Sequence, residues 1–286
     1  MCLRGSVSLI RSACHGPVMN ADRRWILPDR ESALAWATER RARGIRCILA
    51  LAGEHARVPG EARSGAESII ACIHGIAPAQ AGASVSVKPG TLGSLFDEIA
   101  CREHATRIAR EAAGSRVPLE LDMEGRGFVD LTLSLASLCR KEQASVTVAL
   151  QAYLRRTPGD IRRMAAEGIG VRLVKGAYLG DISGFTEIQE VMMQDARILM
   201  DLRAPFSIGT HDPELIGRIK AGFGADKELV EFGFLMGLSE QTKTGLTKEG
   251  WRVSEYVPFG PGGEAYILRR ERYLRDLEMA GRAPAP

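Results

Sequence analysis

The chain has 286 residues, with 38 Lys plus Arg against 35 Asp plus Glu, a formal net charge of +3, and 45% hydrophobic residues. That apolar content supplies a core and excludes a disordered chain, and +3 spread over this length is too weak a field for nucleic-acid binding. No window approaches ~18 uninterrupted apolar residues, so no membrane-spanning helix is expected and any membrane contact is peripheral.

The first segment carries Arg4, Arg11, Arg23 and Arg24, but its apolar stretch, Val7 to Ile10, is too short for a secretory h-region. Six cysteines, at 2, 14, 47, 72, 101 and 139, are scattered without a C-x-x-C pair. They read as reduced core residues of a cytoplasmic protein and not as a disulfide or zinc framework, so no metal site is expected. A helix is predicted over 31–44. Thereafter short apolar runs recur at 45–53, 83–89, 117–123, 145–153, 169–178, 205–211, 228–237 and 251–259, of the length of buried strands. Between them, amphipathic helices are predicted over 93–114, 128–142, 157–168, 185–202, from 213 onward, and 264–280. Thr157-Pro158 and Asp212-Pro213 each read as an N-cap followed by Pro in the first turn. This order gives an α/β fold, a (βα)8 TIM-type barrel in one domain over 45–281. It is preceded by an N-terminal extension with an extra helix (1–44) and followed by a frayed tail (282–286). A doubly wound open sheet is the competing fold, but LALAGEHARVPG lacks the G-x-G-x-x-G turn such sheets carry.

In a barrel, chemistry sits at the carboxyl ends of the strands. Polar residues fall there: Glu54, Lys88, Asp122 with Glu124, Gln151 with Tyr153, Arg172, Lys175 and Tyr178, Thr210 with His211, Glu231, and Tyr256. Buried charged tips need partners or a ligand, and so many on one rim favour an active site. Lys88, Arg172 and Lys175, joined by Arg269 and Arg270 on the last helix, suit an anionic ligand. Taken alone, Arg269-Arg270 also fits a solvated helix face. Lys175 has the character of a Schiff-base lysine, and alternation sends it to the face opposite Arg172. His211 fits a general base, a cofactor contact or a hydrogen-bonding residue.

The runs LALAGE (49–54), SVKP (86–89), LELDMEG (119–125), QAYLRR (151–156), VRLVKGAY (171–178), THD (210–212), EFGFLMG (231–237), YVPFG (256–260) and AYILRR (265–270) occur in this order. Together they resemble the flavin-dependent proline dehydrogenases, of the short monofunctional bacterial type, over roughly residues 45–275. The resemblance implies a (βα)8 barrel with non-covalently bound FAD. It implies oxidation of L-proline, or a close cyclic imino acid, to Δ1-pyrroline-5-carboxylate by hydride transfer to flavin N5. Electrons would pass to a membrane quinone through peripheral contact at the inner membrane face, and a pyrroline-5-carboxylate dehydrogenase would act downstream. By the same resemblance Lys88, Arg269 and Arg270 bind the substrate carboxylate, Asp122 orients the substrate network, and Tyr178 and Tyr256 pack on the substrate ring. Gln151, Arg172, Val174, Lys175, Gly176, Ala177, Thr210, His211 and Asp212 match flavin-contacting positions, with Arg172 near N5. Glu54 pairs with Arg269 as a gate. Tyr256 implies unsubstituted proline, because it leaves little room for a 4-hydroxyl. Four positions depart from the family pattern: Leu179 where an aromatic is usual, Asp212 for Asn, Tyr273 for Glu, and Ala50 for an acid. They are compatible with a member acting on a proline analogue in specialised metabolism. A Schiff-base lyase or aldolase using Lys175 is the reading from another reaction class.

Overall fold

Alternation along each strand sets the architecture. A computed structural model describes residues 25–53 and 55–283. Eight strands run in chain order: β1 (Ile45–Leu51), β2 (Ser84–Val87), β3 (Leu119–Leu121), β4 (Val146–Gln151), β5 (Gly170–Val174), β6 (Phe206–Gly209), β7 (Val230–Leu235) and β8 (Arg252–Phe259). Every neighbouring pair is parallel and the sheet closes, β8 pairing with β1 from Ile45↔Val253 to Leu51↔Phe259. Closure removes both sheet edges and rules out the open doubly wound alternative. The predicted runs overshoot most strands by one to four residues, because pairing stops where the chain turns away to form the mouth loops.

One face of each strand is apolar and packs beneath the helices: Leu49, Val85, Leu119, Leu121, Val148, Leu173, Ile208, Phe232 and Val257 are all buried. The other face, toward the barrel axis, is largely small or charged, with Ile48 among the apolar exceptions. It carries Arg46, Ser84, Ser86, Glu120, Arg172, Ser207 and Glu231, aligned by registers such as Arg172↔Ser207 and Ser207↔Glu231. Gly209, Gly233 and Ser254 close the pattern, since a Cβ on Gly233 would lie 3.5 Å from the Gly209 Cα and 3.6 Å from the Ser254 hydroxyl. The interior is thus a polar column and not the branched aliphatic filling usual in such barrels.

The helices are α1 (Arg30–Ala42), α2 (Pro59–Ile76), α3 (Glu98–Ser115), α4 (Val129–Lys141), α5 (Thr157–Ala166), α6 (Phe185–Asp201), α7 (Pro213–Phe223), α8 (Glu240–Lys248) and α9 (Glu264–Met279). The periodicity reading did not single out α2 or α8. α3 starts at Glu98, five residues later than predicted, because Gly90–Leu92 first forms a 3-10 turn and Asp97 caps the helix through the Ala100 N–H. Asp212 caps α7 as expected, accepting from the Glu214 N–H at 2.9 Å. Thr157 is not the cap of α5: its hydroxyl donates to the Gln151 carbonyl at 2.6 Å, and Arg156 precedes the helix without a side-chain cap. Arg282, expected in a frayed tail, is held by ion pairs to Asp212 at 3.0 Å and Glu214 at 2.7 Å. Cys47, Cys72, Cys101 and Cys139 are buried free thiols, each pushed up to about 12 by burial. Cys2 and Cys14 lie outside the described residues.

Glu255 is a charged exception on the otherwise apolar face, because it shares the face of Val253 and Val257 and points from β8 into the helix layer. Trp36 Nε1 donates to it at 2.8 Å, Lys243 Nζ at 2.5 Å, and Arg40 pairs with it as well. These contacts pin α1 and α8 to β8, and removing one member of such a buried set costs about 3–5 kcal/mol. Asp195 on α6 has no such partner. It is 1% exposed and neither carboxylate oxygen accepts a hydrogen bond from the described residues. Burial pushes its carboxyl up to about 7, with Arg162 opposing. A folded-state value raised above the unfolded one gives stability that is full below the ordinary Asp range and lost as pH rises to about 7. Asp195→Asn is therefore expected to stabilise the protein at about pH 8 relative to the parent, with the gap closing by about pH 4. Urea denaturation at the two pH values measures it.

Candidate active site

The axial face of β3 carries Glu120 and Asp122, two residues apart, and β5 sends Arg172 across to both. Arg172 Nη1 lies 3.0 Å from Glu120 Oε2, and Nη2 pairs with Asp122 Oδ1. Below them Arg46 on β1 bridges Glu120 at 2.8 Å and Glu231 at 2.7 Å. Above them Asp122 Oδ2 accepts from Ser86 Oγ at 2.6 Å and from the Tyr256 hydroxyl at 2.5 Å, with Lys88 Nζ at 3.8 Å. Burial alone would raise the Asp122 carboxyl, but Arg172 and Lys88, with the Ser86 and Tyr256 bonds, hold it below its ordinary value. Burial would likewise lower Arg172, yet Asp122 and Glu120 hold it above its ordinary value. Tyr256 is pushed well up by burial and by the Asp122 charge, so it stays a phenol and donates. Its ring lies 5.5 Å from the Arg172 guanidinium.

Helix α9 crosses this mouth. Tyr266 stacks on Tyr256 with centroids 6.4 Å apart. One turn later Arg270 donates to the Tyr266 hydroxyl at 3.3 Å and to the Met236 carbonyl, and lies 4.3 Å from the Trp25 ring. Arg270 is 2% exposed, so the solvated-face alternative fails for it. Arg269 instead lies over the Tyr178 ring at 5.4 Å. Farther along, Asp276 takes Lys175 at 3.0 Å and Tyr273 accepts from the His211 N–H at 3.1 Å. Arg172 thus turns into the barrel while Lys175, one residue past β5, turns to α9. Glu54 lies outside the described residues.

Both ring nitrogens of His211 are occupied: Nε2 accepts from the Leu235 N–H at 3.0 Å and Nδ1 lies 2.9 Å from the Ser239 hydroxyl. Burial, then the Lys243 and Arg270 charges, push it down to about 3. That excludes the general-base reading, since neither nitrogen is open to a substrate proton. Glu231 sits at the start of β7 beside Arg46, at the opposite end of the barrel from the other polar tips. The expectation that it lines the same rim is wrong, because that reading located it in its run without fixing the strand ends.

Two departures from the family pattern have local causes. The Asp212 carboxylate is neutralised by Arg282, accepts from Gln189 Nε2 at 2.5 Å and caps α7, so its charge is used within the protein. Tyr273 spans the gap between His211 and Lys175, its ring 5.5 Å from Lys175 Nζ. Leu179 is 86% exposed. Nothing in the structure explains Ala50.

The residues at the ends of β4 and β5 fit a flavin. Gln151 is buried and donates to the Glu124 carbonyl at 3.2 Å, but its Oε1 has no partner among the described residues. A flavin ring edge presents an N–H donor of the kind that oxygen lacks. Beside it Gly176 turns at φ +117°, and a Cβ there would come within 1.8 Å of the Tyr153 ring. Only glycine permits that close turn. Val174 and Ala177 lie on either side of the turn, and Thr210 directly follows Gly209, the β6 partner of Val174. The sequence reading missed Glu120, Arg46, Ser86 and Tyr266 as members of this network. Alternation puts Glu120 on the face of Asp122, and a four-residue step puts Tyr266 on the face of Arg270, so both were within reach of periodicity.

A family model described as proline dehydrogenase matches residues 33–182. The chain is 30% identical over 256 residues to Proline dehydrogenase 1 of Bacillus subtilis, covering 87% of this chain and 85% of that protein. It is 30% identical over 252 residues to the proline dehydrogenase of Deinococcus radiodurans, covering 84% and 81%. Among solved structures, proline utilization A (PutA) of Bdellovibrio bacteriovorus inactivated by N-propargylglycine matches with a TM-score of 0.80 at 21% identity. That match covers 88% of this chain and 32% of the PutA chain, so this chain spans about a third of it.

His211 is expected to remain neutral from about pH 5 to pH 8, with its Nδ1-protonated tautomer fixed by the Leu235 bond. Ring-nitrogen NMR shifts across that interval test this; an imidazolium signal within it would refute the assignment.

Proposed function

The chain belongs to the proline dehydrogenase family, and on that premise we propose that it oxidises L-proline to Δ1-pyrroline-5-carboxylate with a non-covalent FAD held at the carboxyl ends of β4 to β6. The observation that carries this reading is the convergence of Lys88, Asp122, Arg172, Tyr256 and Arg270 on one mouth, beside the acceptor of Gln151 that the fold leaves open. The flavin, when bound, accepts a hydride and passes the electrons on. The protein's part is position and electrostatics. Lys88, Arg269 and Arg270 hold the substrate carboxylate; the two arginines offer forked donors and the lysine a point charge. The same cations disfavour an ammonium nearby, so they keep the substrate nitrogen neutral, as loss of a hydride from the adjacent carbon requires. Asp122, anchored by Arg172 and Ser86, holds the Tyr256 hydroxyl and so fixes the ring against which the substrate packs. Tyr178 closes the opposite side under Arg269. Arg172 places a fixed positive charge beside the β5 end, where negative charge develops.

The Schiff-base reading has less support. Lys175 is held by the Asp276 carboxylate, whereas lysine nucleophiles are activated by apolar burial or by a neighbouring cation. A membrane quinone is the proposed acceptor. Leu95, Phe96, Ile99, Leu179 and Leu268 are exposed in the loops and the first two helical turns that follow the strands, which supports peripheral contact through the catalytic face. No helix among the described residues is long and apolar enough to cross a membrane. The pyrroline product suits a downstream dehydrogenase as the next partner.

Anaerobic L-proline is expected to bleach the visible absorbance of the FAD-loaded protein, and protein that takes up no FAD would overturn the reading. Arg270→Ala is expected to raise KM for proline at least tenfold, since truncating a charge-assisted carboxylate contact costs ~1.5–3 kcal/mol. Steady-state kinetics with a quinone analogue measures it.

A further inference from the structure

The end of the barrel opposite the candidate active site is also open. A cavity of about 830 Å³ enters there between the turns that precede β4, β5 and β6, within the ~300–1,000 Å³ usual for small-molecule sites. Five arginines line it, Arg46, Arg140, Arg162, Arg203 and Arg252, against one acidic residue, Glu231. Three of them are committed elsewhere. Arg46 bridges Glu120 and Glu231, Arg252 lies 3.7 Å from Glu231, and Arg203 pairs with Asp226 at 2.6 Å. Arg140 and Arg162 have no ion pair among the described residues, and Arg162 donates only to the Pro158 carbonyl at 3.0 Å. Two arginines without an ion pair among the described residues therefore line one concave space.

An independent observation points to a ligand. Ser207, on the axial face of β6, lines the cavity and is 6% exposed, yet its hydroxyl has no hydrogen-bond partner among the described residues. A buried hydroxyl without a partner is costly and rare in native proteins. Here the hydroxyl sits in register with Arg172 and Glu231, one layer inside the arginine rim. A hydroxyl donor behind two guanidinium forks is the donor set of an oxyanion site.

We propose that this cavity binds a small phosphate-bearing anion, in the size class of a phosphorylated metabolite or nucleotide and larger than phosphate itself. Its phosphate oxygens take the forks of Arg140 and Arg162 and the hydroxyl of Ser207. The volume exceeds what a bare oxyanion fills, which leaves room for an organic moiety along Gln143, Thr147 and the Gly168 turn.

Calorimetric titration of the protein in excess FAD with ADP and with pyrophosphate tests the site; saturating FAD keeps the flavin's own phosphate contacts occupied. At least one probe is expected to bind with one site per chain, and the Arg140→Ala/Arg162→Ala double variant to weaken it at least about tenfold, as loss of charge-assisted bonds requires. Ser207→Ala is expected to weaken binding while leaving Tm unchanged or raised, because it deletes a hydroxyl with no partner among the described residues. A purely structural role for Ser207 predicts the reverse: a lower Tm with binding intact. Lys88→Met, at the other mouth, is expected to leave binding unchanged. No binding of either probe at about 1 mM, equal binding by the double arginine variant, or loss of binding in Lys88→Met would each overturn the proposal.

Discussion

Arg172 between Glu120 and Asp122 is the contact on which the barrel interior depends. Three charged side chains, each at most 9% exposed, meet near the axis of a sheet whose outer face is wholly given to the helix layer. Buried charges are tolerated only when paired and hydrogen-bonded, so loss of Arg172 would leave Glu120 to Arg46 and Ser84 and Asp122 to Lys88, Ser86 and Tyr256. The small axial residues around it, Ser84, Ser86, Ser207 and the glycines of β6 and β7, give these long side chains their space. The pairs also link into a line: Glu231, Arg46, Glu120, Arg172, Asp122, then Lys88 and Tyr256. Both mouths of the barrel therefore touch one continuous set of ion pairs.

The catalytic mouth is organised from the outer side by α9. It reaches β8 through Tyr266 on Tyr256, β7 through Arg270 on the Met236 carbonyl, and the β5 and β6 ends through Asp276 and Tyr273. Just past its end Arg282 ties down Asp212. A helix of 16 residues is about 24 Å long, enough to cross the mouth, and its inward residues fall at the three- and four-residue spacings of one helical face. This explains how a Tyr at 273 and an Asp at 212 coexist at positions where the family pattern has Glu and Asn. The acid that appears at 212 is neutralised by Arg282, and the acid missing at 273 is replaced by a phenol that accepts from the backbone of His211.

Much of this was legible in the sequence. All eight strands and seven of nine helices among the described residues appear where apolar runs and helical periodicity place them, because burial beneath the helix layer is a one-dimensional signal. The helices α2 and α8 escaped notice: α8 carries few apolar residues, whereas α2 does bury a stripe at helical spacing, Ala62, Ala66, Ile69, Ile73 and Ile76, that periodicity could have found. Of the site, Lys88, Asp122, Tyr256 and Arg270 were named from their positions at strand ends and on the last helix and from the family motifs. Glu231 was assigned to the wrong end of the barrel, because a run of apolar residues does not mark where pairing begins.

The sequence by itself determined the alternation of strand and helix, the apolar face of each strand, and the family motifs in their order. Those features depend on neighbours within a few residues along the chain. Only the tertiary structure decided which charges meet. The Arg172–Asp122 pair spans 50 residues and the Tyr256–Asp122 bond 134, and both follow from barrel closure and the stagger between strands, which no local pattern encodes. The same closure decided the state of His211, whose neutrality comes first from burial and then from the Lys243 and Arg270 charges on two helices distant in the chain, and the fate of the arginines, some of which it neutralised in pairs while leaving Arg140 and Arg162 lining an open cavity.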